Sequence, residues 1–367
     1  MATSPPMAML TVGDFAPWFT APVLDGKPAW VFSSIGGVAA LMFFYGSAAH
    51  PAVAPALARI MEHDRLFDDL RAKFFGITID PSDAAQRRIR QILPGIRHFL
   101  DYDRHVSTLY GSCPAKGSGY RPQLLVIDHM LQIVGHFSPA EVDQALAALV
   151  EAQAAPRQDW APVLTVPRVL EQEICAALID EYDGHGGTPS GFMREVDGKT
   201  TIVTDAAFKM RRDAPIESAE LRRRFAACIA RRLVPAVQRS FQFTATRIER
   251  YIVAAYDAGA GHFAAHRDNT TKGTAHRRFA VTINLNDDYD GGDLRFPEFG
   301  TRTYRAPVGG AVVFSCSLLH EATPVTRGRR YATLPFLYDE ESARLREANN
   351  RYLDENAVEA YAADGRR

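Results

Sequence analysis

Cysteine is scarce in this 367-residue chain. It has four, Cys113, Cys175, Cys228 and Cys316, widely separated and without a CxxC pair. That excludes a disulfide framework and a zinc knuckle, and scattered single thiols suit a reducing, cytoplasmic setting. An excess of one charge is also missing, since 42 Lys and Arg against 43 Asp and Glu leave a formal net charge of -1. No general attraction to nucleic acid or to acidic membranes follows from such a balance. Long apolar runs are absent too. Pro28 to Ala58 carries no formal charge and Val38 to Tyr45 is strongly apolar, but Ser33-Ser34 and Gly36-Gly37 interrupt the stretch early. A membrane span needs roughly 20 unbroken apolar residues. A buried strand is therefore expected there, and no membrane association. Met1 to Leu10 has no basic n-region and no apolar core, so no signal peptide is expected there.

What is present divides in two, as the length leads one to expect. In the first part, an apolar strand over 38–45 is followed by a helix from about Pro51 to Met61. A strand Phe74–Asp80, a polar helix near Ala84–Ile92, a strand Gln123–Asp128 paired with Leu131–Phe137, and a helix Pro139–Ala154 complete it. Alternating strands and helices of these lengths predict an α/β layer. The expected partition is a first domain over 1–155, a linker over 156–162, a second domain over 163–340 and a helical tail over 341–367. The second domain opens with helices Glu171–Tyr182 and Ser218–Phe241. It then changes to short strands at Ile248–Ala255, Phe279–Leu285, Asp293–Phe296, Gly310–Cys316 and Tyr331–Tyr338. Many short strands with turns between them predict a β-sandwich or jelly-roll barrel.

His266 and Asp268 are two apart, so on an extended strand both side chains share a face. His320 follows the strand Gly310–Cys316 and can meet them across a barrel. Two imidazoles and one carboxylate on one face leave coordination positions open, which suits non-haem Fe(II); zinc can use the same ligands. Arg330 lies on the strand entered from Gly328. A guanidinium carried into a barrel needs an anion, and its fork matches a carboxylate. His262 and His276 are not needed as ligands, and Cys316 reads as a small core residue.

Two resemblances follow from these residues. Gly13-Asp14-Phe15-Ala16-Pro17, Leu41 to Tyr45 and Arg121 to Asp128 resemble the peroxiredoxin branch of the thioredoxin-like proteins. That family keeps a Thr and a peroxidatic Cys where this chain has His50 and Val53, so the likeness implies a thioredoxin-like domain without its redox chemistry. A structural, dimerising or substrate-docking role is expected, with a homodimer among the expected assemblies. Residues 163–340 resemble the prolyl-4-hydroxylase-like Fe(II)/2-oxoglutarate dioxygenases, through His266-Arg267-Asp268, Leu285 to Leu294, His320 and Gly328-Arg329-Arg330. That likeness implies a double-stranded β-helix (jelly roll) with flanking helices.

The second resemblance implies that His266, Asp268 and His320 bind Fe(II). It also implies that Arg330 pairs with the far carboxylate of 2-oxoglutarate, with Arg329 as its competitor. Tyr256 would line the cosubstrate pocket, and Asn284 would stand where relatives place another cosubstrate-binding residue. Ascorbate would keep the iron reduced. Related halogenating enzymes lack the carboxylate, so Asp268 implies hydroxylation or a related C–H oxidation, yielding succinate and CO₂. The expected substrate is an amino acid, a peptide or a small metabolite. Two alternatives stay open: a non-catalytic adaptor built of two degenerate domains, and a redoxin-type peroxidase using Cys113.

Overall fold

A computed structural model describes residues 10–26, 30–114, 119–155, 159–355 and 357. Residues 156–158 of the expected linker, and 356 and 358–367 of the expected tail, lie outside these. The chain forms two compact units, residues 1–159 with 297–300 and residues 160–296 with 301–367. Among the described residues, no helix is long and apolar enough to cross a membrane.

The first unit is a five-stranded mixed sheet in the order Ile96–Leu100, Ala72–Thr78, Ala39–Gly46, Gln123–Ile127, Ile133–Phe137. The central strand Ala39–Gly46 is buried along its whole length. Alternation along it divides the apolar run between two cores. Leu41, Phe43 and Tyr45 pack beneath the helices Ala54–Glu62 and Val142–Ala154, whereas Ala40, Met42 and Phe44 join Phe19, Phe75 and Phe99. Burial on both faces is why this strand reads as a continuous apolar run. The polar helix expected near Ala84–Ile92 is only Pro81–Ala85. Asp80 caps its start, and Arg87, at a φ of 53°, turns the chain out of helical geometry.

Val53, at the position where the redoxins keep their thiol, is fully buried at the head of the helix Ala54–Glu62. Cys113 is buried as well, its Sγ 3.3 Å from Thr108 Oγ1.

Two large antiparallel sheets frame the second unit, beside the two-stranded pairs Phe192–Val196 with Lys199–Val203 and Asp290–Gly291 with Val325–Arg327. The larger runs Arg247–Glu249, Phe336–Tyr338, Phe279–Asn284, Arg329–Thr333, Ile252–Asp257, Arg212–Pro215, Thr188–Pro189, with Ala311–Ser315 and Leu164–Val166 attached through Phe279–Asn284. The smaller runs Lys209–Met210, His262–His266, His320–Ala322, Leu294–Arg295, Thr303–Tyr304. Two of the strands expected in one piece are broken. Arg250, at a φ of 72°, separates Arg247–Glu249 from Ile252–Asp257, and Leu334-Pro335 separates Arg329–Thr333 from Phe336–Tyr338.

Period-two alternation then decides what each strand offers. Val253 and Ala255 pack outward against Ile174, Leu178, Phe225 and Leu233 of the helices Gln172–His185 and 219–241, the latter continuous through a π-helical turn at Ile229–Leu233. Ala254 and Tyr256 face inward with Tyr289 and Ala322. The layers are a helical face, the larger sheet, and an interior closed by the smaller sheet. This is the jelly-roll barrel expected.

Candidate metal and cosubstrate site

His266 ends the strand His262–His266 and His320 begins the strand His320–Ala322. The two are register partners across that antiparallel pair. Their ring centroids are 4.3 Å apart. Asp268 lies two residues beyond His266, not on the strand as the spacing argument had it but in the turn that follows. Its backbone N–H donates to Cys316 O at 2.9 Å, and Arg267 reaches away from the site to Ser317 O. The turn carries the carboxylate between the two rings. His266 Nε2 is 3.5 Å from Asp268 Oδ1 and His320 Nε2 is 3.4 Å from Oδ2. The three ligand atoms lie within 4.8 Å of one another.

The tautomers are fixed by the backbone. His266 Nδ1 lies 2.8 Å from Ala264 O, and His320 Nδ1 lies 3.0 Å from Leu318 O. A carbonyl oxygen can only accept, so each Nδ1 carries a hydrogen and Nε2 is the ring nitrogen left to face a metal. Burial, helped by neighbouring His266, pushes the His320 pKa down to about 4, which keeps its Nε2 lone pair free at neutral pH. Burial would raise the Asp268 carboxyl, but His320, His266 and Arg277 outweigh it and hold the group well below the carboxylate range. Two imidazoles and an ionised carboxylate converging on one point fit a divalent cation, and the donor set suits Fe(II). Phe263 stacks on His266 at 3.5 Å between centroids and Phe314 meets His320 edge-on at 4.5 Å, so both rings are held.

The same pocket is lined by Tyr256, Thr282 and Arg330 from the larger sheet. Tyr256 and Arg330 are register partners, and the guanidinium lies 5.2 Å from the ring centroid. Arg330 is 2% exposed, and its Nη2 donates to Asn284 Oδ1 at 3.2 Å. Arg329, one residue earlier, points the other way and pairs with Asp257 at the surface. Strand alternation thus separates the two candidates and puts Arg330 in the pocket. Asn284 is not on the pocket wall. Its Nδ2 donates to Ala306 O at 2.7 Å and its Oδ1 faces Arg330, so it stands behind the guanidinium.

Two further pocket residues escaped the sequence reading, Arg211 and Arg250. Arg211 precedes the strand Arg212–Pro215 and Arg250 sits at the left-handed break. The Lys209-Met210-Arg211-Arg212-Asp213 run looks like a solvated loop, and only the His-x-Asp neighbourhood of its partner strand hints otherwise. His262 lies outside the triad, bonded to the Ala260 and Ala207 carbonyls, and His276 is buried against Glu249.

Residues 251–338 match the 2OG-Fe(II) oxygenase superfamily. A PKHD-type hydroxylase of Paracoccus denitrificans (strain Pd 1222) is 30% identical over 186 residues, 47% of this chain and 75% of that protein. The chain belongs to the 2OG-Fe(II) oxygenases. A PKHD-type hydroxylase of Synechococcus sp. (strain JA-2-3B'a(2-13)) is 29% identical over 154 residues, 39% of this oxygenase and 66% of the relative. A Pseudomonas putida prolyl-4-hydroxylase structure covers 53% of the oxygenase and 99% of its own chain, at 22% identity and a TM-score of 0.38. Residues 12–136 match the AhpC/TSA family, so a thioredoxin-like unit precedes the oxygenase unit. The enzyme is a 2-oxoglutarate-dependent dioxygenase, and its family uses Fe(II) with 2-oxoglutarate as cosubstrate.

Proposed function

We propose that His266, Asp268 and His320 hold the Fe(II) and that Arg330 receives the far carboxylate of 2-oxoglutarate. The observation that carries this reading is the pair of opposed imidazoles, each with Nδ1 spent on a carbonyl and Nε2 aimed at Asp268. Bound iron supplies O₂ activation coupled to decarboxylation of the keto acid, which yields succinate and CO₂ and oxidises a C–H bond of the substrate. The chain's own residues do the rest. Arg330 gives a buried fork that a carboxylate satisfies with two hydrogen bonds. Asn284 holds that fork from behind, and Tyr256 walls the pocket at its side. The apolar surfaces of Phe263, Leu294 and Phe314 exclude water beside the reacting centre.

The reaction is hydroxylation of an amino-acid, peptide or small-metabolite C–H bond. Asp268 fills the place a halide would need. Ascorbate keeps the iron reduced between turnovers, and the setting is the cytoplasm. The domains run 1–155 and 163–340, and the first, without a thiol at Val53, serves in docking or homodimerisation rather than peroxide reduction. Succinate formation from 2-oxoglutarate under O₂, with Fe(II) restored to the protein, tests the reading. A reconstituted protein giving neither coupled nor uncoupled turnover would overturn it.

A further inference from the structure

We propose that the primary substrate presents a carboxylate to a second basic pole of the pocket, formed by Arg211 and Arg250. The inference rests on the metal and cosubstrate assignments above and adds the substrate's charge.

Arg330 and Asn284 make up one pole, sufficient for the cosubstrate's far carboxylate. The pocket nevertheless carries two more guanidiniums on its wall. They are grouped around Asp213. Arg211 Nε and Nη2 donate to the two Asp213 oxygens at 2.6 Å each, and Arg250 Nη2 donates to Oδ2 at 3.2 Å. Ser190 Oγ donates to the same Oδ2 and accepts from Lys209 Nζ at 2.8 Å. Two guanidiniums thus share one carboxylate, and Lys209 sits beside them with its charged form disfavoured by burial. Arg211 is 7% exposed, so bulk water screens the one positive charge left over by the two guanidiniums and Asp213 poorly.

Geometry directs the surplus into the site. Arg211 spends two of its nitrogens on Asp213, while its Nη1 points to the Tyr256 hydroxyl at 3.4 Å, inside the pocket. That hydroxyl, accepting from Arg211, keeps its own hydrogen for a pocket acceptor. Arg250 occupies left-handed backbone at a φ of 72°, a conformation unfavourable for a non-glycine residue. There it breaks the strand and lands its side chain on the pocket wall. Tyr256 divides the two poles, with Arg330 at 5.2 Å and Arg211 at 5.8 Å from its ring. Two anions, one per pole, would balance the site.

The test is calorimetric. Protein loaded with Mn(II) and 2-oxoglutarate is titrated with N-acetylated amino acids and with their C-terminal amides. The acids should bind at least about tenfold tighter than the matched amides, the range of a charge-assisted bond. Arg250→Gln should bring the ratio towards one while shifting 2-oxoglutarate affinity less than about threefold; Arg211→Lys, which keeps the charge, should retain part of the preference. Circular dichroism of both variants secures the fold. Amides binding as tightly as acids, acids not binding at all, or Arg250→Gln weakening 2-oxoglutarate as much as the acids would each overturn the proposal. In the last case the second pole serves the cosubstrate. Wild-type protein that takes up neither Mn(II) nor 2-oxoglutarate overturns the underlying metal-site reading as well.

Discussion

His266 and His320 face each other as register partners across two antiparallel strands, each with its Nε2 within 3.5 Å of the Asp268 carboxylate. Nothing has to move for the three donors to meet a cation. Both rings are locked by a backbone carbonyl and by an aromatic neighbour, so their orientation is set before any ion arrives.

Removing one ligand should therefore remove the metal. His266→Ala is expected to lower Fe(II) or Mn(II) affinity by at least about 100-fold, more than the 10–100-fold usual for an outer partner. Equilibrium dialysis with metal analysis measures it. Unfolding should change little, because His266 is only partly buried.

Arg330 separates binding from stability. Its buried charge has a neutral amide partner in Asn284 and waits on an anion. Arg330→Met is expected to weaken 2-oxoglutarate by about 10–100-fold, corresponding to about 1.5–3 kcal/mol for a charged hydrogen bond. The unliganded variant should melt no lower than wild type, since an apolar side chain replaces a desolvated charge. Melting curves with and without 2-oxoglutarate read both effects.

The first unit carries its own pH dependence. His98 is buried beside Tyr45, with its Nδ1 3.0 Å from the phenol oxygen, and burial pushes its pKa down to about 4. A depressed histidine pKa means that the folded state binds the proton less well than the unfolded chain. Its contribution is full above the unfolded value of about 6.5 and is lost as pH falls from there towards 4. The loss is on the order of 3 kcal/mol for one such group. Urea unfolding of the first unit followed from pH 7 to pH 4 should show the decline, and His98→Phe should flatten that part of it. A profile of unchanged steepness in the variant would assign the dependence elsewhere.

Peroxide chemistry should be absent. Val53 offers no thiol, and Cys113 is buried against Thr108. The chain with a thiol reductant is expected to consume peroxide no faster than the reductant alone, and Cys113→Ser should leave succinate formation unchanged. Peroxide consumption abolished by Cys113→Ser would restore the redoxin reading.

The convergence of His266, Asp268 and His320 was legible because histidines are rare and the spacing is short, but only one of the two paired positions lies on a strand. His266 is on a strand as expected, whereas Asp268 owes its position to a turn tied to Cys316. Arg330 over Arg329 follows from strand alternation once Tyr256 is known to be its partner, and register of that kind is a tertiary fact. Arg211 and Arg250 stayed hidden for the same reason. One sits just before a short polar strand and the other at a backbone break, and neither leaves a hydrophobic period to read. The polar helix at 84–92 failed on a single left-handed residue, Arg87.

The most direct measurement is anaerobic addition of Fe(II) and then 2-oxoglutarate to the full chain, followed by visible absorption. Chelation of the keto acid by iron at His266, Asp268 and His320 predicts a charge-transfer band that needs both additions and saturates at one iron per chain. The band should vanish in His266→Ala, and in Arg330→Met it should need far more 2-oxoglutarate. No band in the wild type, or an undiminished band in His266→Ala, would contradict the account.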